Sequence, residues 1–222
     1  MHRTLDVDYL VVGAGAMGMG FTDTLVDHSD ARVAVVDRRH AAGGHWLEDY
    51  PFVRLHQSST FYGVASSVLA GGRVQEHGPE AGLHVRASQP EIVDYYAQQV
   101  ERLRQTGRVE VLTGCDYRGD RTVVSRVSGH SWEVPATCRV VNTHYLAPSI
   151  PAETSPPFAV ADGARVVAVN DVVRLEEAPS AYVVVGSGKT ATDACVWLLG
   201  RASTPTRSAG CARGSRGCST AR

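Results

Sequence analysis

Residues 8–18 read DYLVVGAGAMG and decide the fold of the chain. An apolar run at residues 10–12 predicts a buried strand, and a glycine-rich turn of the form GxGxxG follows at once. An amphipathic helix is predicted next, and a second apolar strand at residues 32–36 ends on Asp37, nineteen positions after the last glycine. This order of strand, turn, helix, strand and acid predicts a βαβ unit that binds a dinucleotide.

Each glycine of the turn has a steric reason to be there. Gly13 allows the tight turn off the strand, Gly15 lets the backbone approach a pyrophosphate, and Gly18 lets helix and strand pack closely. The phosphates would meet the N–H groups and the positive dipole end of a helix that starts near Ala16. Asp37 suits a ribose 2′-hydroxyl and would repel a 2′-phosphate. These residues alone leave open which dinucleotide binds.

The composition bounds the class of protein. The chain has 222 residues, 43% of them hydrophobic and 20% charged, which is enough to bury a core in one or two domains. A net charge of -1 without a basic run argues against a nucleic-acid partner. Apolar runs fall short of the roughly 20 residues that span a bilayer, and only nine residues precede the first predicted strand. We therefore expect no membrane span, no signal peptide and a cytoplasmic location.

The cysteines give no sign of a metal or disulfide framework. They lack a CxxC pair, so no metal ligand is predicted and scattered reduced thiols are expected. The five positions are Cys115, Cys138, Cys195, Cys211 and Cys218.

A long connection follows the first βαβ unit, and such connections are usually functional. Gly43 and Gly44 can bring the backbone close to a ligand, and Trp46 offers a flat face that could cover an aromatic ring. A loop with one buried tryptophan is an equally good interpretation of these residues.

The next segments predict further alternation of helix and strand. Residues 88–103 begin with SQPE and carry apolar residues at helical spacing, so they predict a capped helix, followed by a strand at 109–112. Short alternating runs at residues 116–141 predict a small β-meander, and a proline-rich stretch to Pro157 then predicts a domain crossover.

A second glycine turn lies near the carboxyl end of the chain. The apolar run at 181–185 leads into Gly186, Gly188 and Ala191, with alanine as the third small residue, and a helix is predicted through Leu199. A P-loop is ruled out because Val183 stands where GxxxxGKT needs a glycine. Lys189 is a candidate phosphate contact, with a solvated lysine at a helix start as the alternative.

Residues 200–222 have almost no apolar residue and no period, which predicts a disordered tail. This change comes directly after a helix that should lead to another strand, and a codon frame shifted by one nucleotide can encode a plausible helix end and strand. We therefore hypothesise that the chain is a frameshifted or truncated product of a longer gene.

The order of these motifs resembles flavoproteins with two dinucleotide-binding domains, most closely the flavin-containing and Baeyer-Villiger-type monooxygenases. The resemblance covers about residues 8–199 and rests on GAGAMG, Asp37, GGHW, VVNTHYLAPSIP and GSGKTA, in that order. It implies an α/β fold: an FAD-binding Rossmann-like domain at 1–150 with a β-meander at 116–141, and the start of an NAD(P)-binding Rossmann-like domain at 151–199. Residues 200–222 would form the tail.

The resemblance also implies cofactors and their contacts. In that group the first fingerprint binds FAD and the second binds NADPH. The matching FAD positions here are Gly13, Gly15, Gly18, Asp37, Trp46 and, in a looser alignment, Gln57. The matching NADPH positions are Gly186, Gly188 and Ala191.

The chain departs from the motifs of this group at two places. Residues 160–170 lack the group's FxGxxxHxxx(W/Y) signature, and the ATG-like segment reads Asn142-Thr-His144. The disulfide-reductase branch, which shares the two-domain plan, needs a redox cysteine pair that the chain lacks before Cys115.

Three functions follow from these patterns. The first is an FAD- and NADPH-dependent oxidoreductase that oxygenates a small organic substrate. The alternatives are a truncated, non-catalytic nucleotide-binding fragment of such an enzyme, and a single-site NAD-dependent dehydrogenase. No catalytic acid or base is predicted, because the flavin would carry the chemistry; structural roles are expected for His45, His56 and His144. The sequence gives no prediction of oligomeric state.

Overall fold

The chain forms two compact units in a computed structural model. The structure describes residues 2–144, 152, 154–201, 208–211 and 219–220. The first unit comprises Met1–Leu47 and Gln57–Ala147, and the second comprises Glu48–His56 and Pro148–Arg222. Residues 48–56, which we call the strap segment, therefore interrupt the first unit in sequence and pack with the second.

The first unit is a mixed α/β structure. Short 3-10 helices lie at Gly44–Leu47 and Ser59–Phe61. Its other helices and its strands are β1 (His2–Thr4), β2 (Tyr9–Val12), α1 (Ala16–His28), β3 (Val33–Asp37), β4 (Gly63–Val64), β5 (Ser67–Val68), α2 (Gln89–Gln105), β6 (Val109–Thr113), β7 (Cys115–Tyr117), β8 (Thr122–Ser125), β9 (Ser131–Glu133) and β10 (Arg139–Asn142).

A parallel sheet with the order β10-β2-β3-β6 is the frame of this unit. Every residue of β3, one of the two central strands, is buried. A parallel strand covered on both faces reads as a continuous apolar run, which explains the sequence VAVVD. Asp37 is the last residue of β3, so its carboxylate lies at the carboxyl edge of the parallel sheet.

Helices cover one face of the parallel sheet and a second sheet covers the other. The helix α1 buries residues three and four apart, from Met19 to Val26, and α2 packs along β6. The second sheet has the order β1-β9-β8-β7 and is antiparallel except for the pair of β1 with β9. The core between the sheets contains Leu5, Leu10, Ala34, Val36, Cys115, Val123, Val134 and Cys138.

The helix predicted at residues 88–103 is confirmed as α2. Ser88 and Glu91 form a capping box, and Pro90 lies in the first turn. Tyr96 is fully buried and Tyr95 nearly so, in agreement with the helical spacing of the apolar residues.

The predicted meander at 116–141 is wrong at its last strand. The strands β7, β8 and β9 do form an antiparallel meander, but β10 pairs in parallel with β2. The physical reason is that β2 has a free edge opposite β3, and a parallel partner there comes from a distant segment that local alternation cannot reveal. A strand also forms earlier than predicted, because β1 pairs with β9.

The second unit contains another strand, glycine turn and helix. Its elements are β11 (Tyr182–Val185), α3 (Lys189–Arg201), β12 (Ser208–Cys211) and β13 (Ser219–Thr220). A 3-10 helix at Val169–Arg174 packs with α3.

The predicted disorder of residues 200–222 is corrected where the structure describes them. Here α3 continues to Arg201, β12 pairs in parallel with β11, and β13 pairs antiparallel with β12. Backbone groups along the edge of β11 can be satisfied by any segment that adopts extended geometry, so apolar periodicity is not required. The remainder of that tail lies outside the described residues.

Candidate functional site

The first glycine turn connects β2 to α1 with positive φ at Gly13. This residue has φ of +112°, and its N–H donates to the carbonyl oxygen of Val36 at 2.8 Å. A Cβ atom added at Gly18 would overlap the carbonyl oxygen of Gly13. The first glycine therefore permits the turn and the third permits close packing of helix on strand.

The second glycine of the turn is approached by another glycine backbone. Gly15 precedes α1, and a Cβ atom on it would lie 3.5 Å from the Cα of Gly44. The N–H of Gly43 donates to the carbonyl oxygen of Ala14 at 2.9 Å. The GGHW segment is thus fastened to the glycine turn, and the approach of its backbone to a ligand stays a prediction.

Asp37 anchors the turn from the end of β3. Its side chain is 2% exposed, and its two oxygens accept hydrogen bonds from the N–H groups of Ala14 at 2.7 Å and Arg39 at 2.8 Å. These two hydrogen bonds stabilise the turn, because hydrogen bonds to a carboxylate are stronger than those between neutral groups. The ribose contact expected for this residue stays a prediction.

The amino terminus of α1 is suited to an anion. Gly15 supplies no side-chain cap, and the first turn contains no acidic residue. The first backbone N–H groups of a helix have no partner within the helix, and together with the dipole they favour negative charge. The residues therefore fit the pyrophosphate of a dinucleotide.

The carboxyl end of β10 contributes two residues that the sequence did not assign to the site. Thr143 donates from Oγ1 to the carbonyl oxygen of Val12 at 2.7 Å. A Cβ atom on Gly13 would lie 2.6 Å from the imidazole of His144. The sequence carried no signal for this placement, since it follows from the parallel pairing of β10 with β2, which brings the carboxyl ends of the two strands to one edge of the sheet.

Trp46 lies in an aromatic cluster and is 7% exposed. Its indole N–H donates to the hydroxyl of Tyr62 at 2.6 Å, and its carbonyl oxygen accepts from Gln89 at 2.7 Å. The ring of His45 lies 5.0 Å from that of Trp46, and Tyr62 meets Tyr96 edge to face at 6.5 Å. Trp46 is therefore a buried loop tryptophan, which was one of the two interpretations of the sequence. His45 and Tyr62 lie against its ring. Burial raises the pKa of Tyr96, with a further contribution from Tyr62.

Gln57 and His56 are exposed at the boundary between the units in sequence. The structure thus brings Gly13, Gly15, Gly18 and Asp37 together at one sheet edge, and it places Gln57 on the surface. A role for Gln57 at a flavin stays a prediction.

The second glycine turn has the same local form within its own unit. Gly186 has φ of +142°, and a Cβ atom there would lie 3.4 Å from the Cβ of Ala191. Gly188 precedes α3 and has open space around its Cα. Small residues at these positions leave the amino terminus of α3 accessible.

Lys189, the first residue of α3, is held by the strap segment and by its own helix. Its ammonium donates to Asp193 and to the carbonyl oxygen of Arg54. Tyr50 donates to the same carboxylate at 2.7 Å, and Phe52 stacks on Trp197 at 4.9 Å. Burial and the hydrogen bond to Asp193 raise the pKa of Tyr50. Lys189 is therefore not the solvated lysine of the alternative interpretation, and its contact with a phosphate stays a prediction.

Across the ranges that the structure describes, there is no group of three or more His, Cys, Asp or Glu residues that could hold a metal ion. In the same ranges, no helix has both the length and the apolar character needed to cross a membrane.

Comparison with known sequences finds relatives without an assigned function. No model of a known protein family matches the chain. An uncharacterized protein of Mycobacterium tuberculosis strain H37Rv is 43% identical over 198 residues, which are 89% of this chain and 36% of the relative. An uncharacterized protein of Mycobacterium bovis matches equally well. The chain spans little more than a third of the length of these curated relatives.

Comparison with solved structures finds flavin monooxygenase folds. An open crystal structure of cyclohexanone monooxygenase gives a TM-score of 0.54 at 18% identity, covering 99% of this chain and 42% of that one. A double mutant of a flavin monooxygenase from Stenotrophomonas maltophilia gives 0.54 at 17%, covering 94% and 58%. An ε-caprolactone-bound cyclohexanone monooxygenase gives 0.51 at 20%, covering 90% and 38%. The chain therefore shares a mixed α/β fold with flavin monooxygenases.

Proposed function

We propose that the chain is the nucleotide-binding part of an FAD- and NAD(P)H-dependent oxidoreductase that oxygenates a small organic substrate. In this proposal, residues 1–150 form the Rossmann-like FAD domain and residues 151–199 begin the NAD(P) domain. The observation that carries it is the uncapped amino terminus of α1 beside Gly15, at the carboxyl edge of a parallel sheet. The fold shared with cyclohexanone monooxygenase supports the choice of cofactor and substrate class.

The residues of the chain would bind and orient the first nucleotide. Backbone N–H groups at the start of α1 would donate to the pyrophosphate, which can come close because Gly15 has no side chain. Asp37 keeps Ala14 in place at the turn and carries the negative charge that disfavours a phosphorylated ribose there. These features favour FAD over NADPH at the first turn.

Contacts of Trp46 would fix the GGHW segment next to the first glycine turn. The hydrogen bonds from Trp46 to Tyr62 and from Gln89 to Trp46 hold the GGHW segment in one conformation.

The second turn, at Gly186 and Gly188, would take NADPH at the amino terminus of α3. Bound flavin would supply the redox chemistry, while the protein supplies binding, orientation and exclusion of water.

A titration of the purified chain with FAD tests the proposal. We expect a saturable change in the visible absorption band of the flavin, and loss of that band when NADPH is added. Gly15→Val should abolish FAD binding, because its side chain would fill the approach to the pyrophosphate. Gly188→Val should keep FAD binding and weaken NADPH binding.

The two variants control for one another, since each alters only one turn. Neither added Cβ atom meets another atom closer than 3.5 Å, and urea unfolding checks that both valine variants are folded. A folded wild-type chain whose FAD titration gives no saturable signal contradicts the proposal. Equal FAD binding by wild type and Gly15→Val moves the site away from the first turn.

A further inference from the structure

The parallel pairing of β10 with β2 fixes where its last residues lie. Asn142 is in register with Val12, and Thr143 extends the ladder by donating its N–H to the carbonyl oxygen of Val12 at 3.1 Å. The Thr143 hydroxyl also donates to Val12, at 2.7 Å, and lies 3.3 Å from the carbonyl oxygen of Gly13. Thr143 therefore fastens the end of β10 to the start of the glycine turn.

His144 is oriented by this attachment. Its N–H donates to the side-chain oxygen of Asn142 at 2.9 Å, which turns the chain as it leaves β10. Its imidazole lies over Gly13, where an added Cβ atom would be 2.6 Å from both Cδ2 and Nε2. The ring occupies this position only because residue 13 has no side chain.

The surroundings of the ring favour a negatively charged ligand. Gly13 lies three positions before Ala16, where α1 begins, and that helix has neither a side-chain cap nor an acidic residue in its first turn. An imidazole ring carries an N–H group on at least one of its two nitrogens, so it can donate a hydrogen bond. The ring of His144 is exposed and lies over Gly13, the first glycine of the turn that leads into α1.

We propose that His144 donates a hydrogen bond to a phosphate of the dinucleotide bound at the first glycine turn. This rests on the proposed function and adds to it a side-chain contact that the glycine fingerprint does not contain. Thr143 acts as a positioning residue, because its hydrogen bonds place His144 against Gly13.

Binding measurements with His144→Gly and His144→Gln test this assignment. FAD is the main ligand, and ADP and adenosine compete with it, so that the ratio of their affinities isolates the contribution of the phosphates. We expect His144→Gly to weaken FAD and ADP about tenfold and to leave adenosine within about twofold. His144→Gln retains an N–H donor and should recover part of the loss.

His77→Gln is the matched control, since His77 is exposed in a loop of the same unit. It should bind all three ligands like the wild type. Urea unfolding checks that His144→Gly is folded; if it is not, His144→Gln alone is compared with His77→Gln, and a lower ADP to adenosine affinity ratio is expected for the former.

The outcomes separate this inference from the proposed function. Absence of FAD binding by the wild-type chain overturns the proposed function itself. Wild-type binding of FAD with an unchanged ADP to adenosine affinity ratio in His144→Gly and His144→Gln overturns only the role of His144. An equal loss for ADP and adenosine also overturns it, because a purely structural defect weakens both ligands together.

Discussion

The carboxylate of Asp37 accepts the backbone N–H of Ala14 at 2.7 Å, which ties the end of β3 to the glycine turn after β2. A second hydrogen bond from the N–H of Arg39 reaches the other carboxylate oxygen. Asp37 therefore stabilises the glycine turn itself, independently of any contact with a ligand.

Asp37→Asn should destabilise the first unit by about 1–3 kcal/mol, because the amide nitrogen cannot accept one of the two backbone N–H groups. Urea unfolding at neutral pH measures the change. Asp30→Asn is the control, since Asp30 is exposed after α1 and its substitution should stay within about 0.5 kcal/mol. Equal unfolding free energies for the two variants would show that Asp37 does not hold the turn.

Gly18→Ala should destabilise the first unit by about 3 kcal/mol or more, because its Cβ would overlap the backbone oxygen of Gly13. Gly20→Ala lies on the same helix and has open space around its added methyl group. It should stabilise the helix by about 0.5–1 kcal/mol through lower backbone entropy in the unfolded chain. Thermal unfolding of both variants checks the opposite signs; similar shifts in Tm would contradict the close packing at Gly18.

The amino-terminal cap of α2 should depend on pH. Hydrogen bonds from the backbone and side chain of Ser88, and the charge of Arg73, lower the pKa of Glu91 in the folded protein. A carboxyl whose pKa is lower when folded stabilises the fold above its unfolded pKa of about 4.3, and this contribution is lost as the pH falls through the folded pKa.

Glu91→Gln should therefore be less stable than the wild type at pH 7 by no more than about 1 kcal/mol, since the side chain is partly exposed and screened. The difference should shrink towards pH 3 in urea unfolding. Glu76→Gln, in an exposed loop, is the control. A difference between wild type and Glu91→Gln that is constant over this range would argue against a charged cap.

The strap segment should open more readily when its hydroxyl anchor is removed. Tyr50→Phe loses the hydrogen bond to Asp193, worth about 1 kcal/mol, so trypsin should cleave after the exposed Arg54 about fivefold faster. Tyr182→Phe removes a hydroxyl from β11 and is the control. Equal cleavage rates at Arg54 in the two variants would show that Tyr50 does not fasten the strap segment.

The parts of the structure that depend on local chemistry could be predicted from the sequence. The capping box at Ser88 and the helical spacing that follows it identify α2, and the sterics of Gly18 follow from the fingerprint spacing. The partner of β10 could not be predicted, because it lies about 130 residues away in sequence and local alternation carries no information on it.

The same limit applies to the candidate site. Neither the hydrogen bonds of Asp37 to the turn nor the position of His144 over Gly13 follows from spacing, since both depend on which strands become neighbours. Residues 48–56 group with the second unit because Tyr50, Phe52 and Arg54 contact residues of α3, far along the chain. Only tertiary contacts define these features.

Hydrogen exchange of the backbone amides, measured with and without FAD, tests the central claim most directly. We expect stoichiometric FAD to slow exchange at residues 16–18, because the N–H groups in the first turn of α1 lack partners within the helix until a phosphate accepts from them. Residues 97–105 in α2 serve as the internal reference and should change little. Unchanged exchange at residues 16–18 in saturating FAD, or protection confined to other segments, would contradict an FAD site at the first glycine turn.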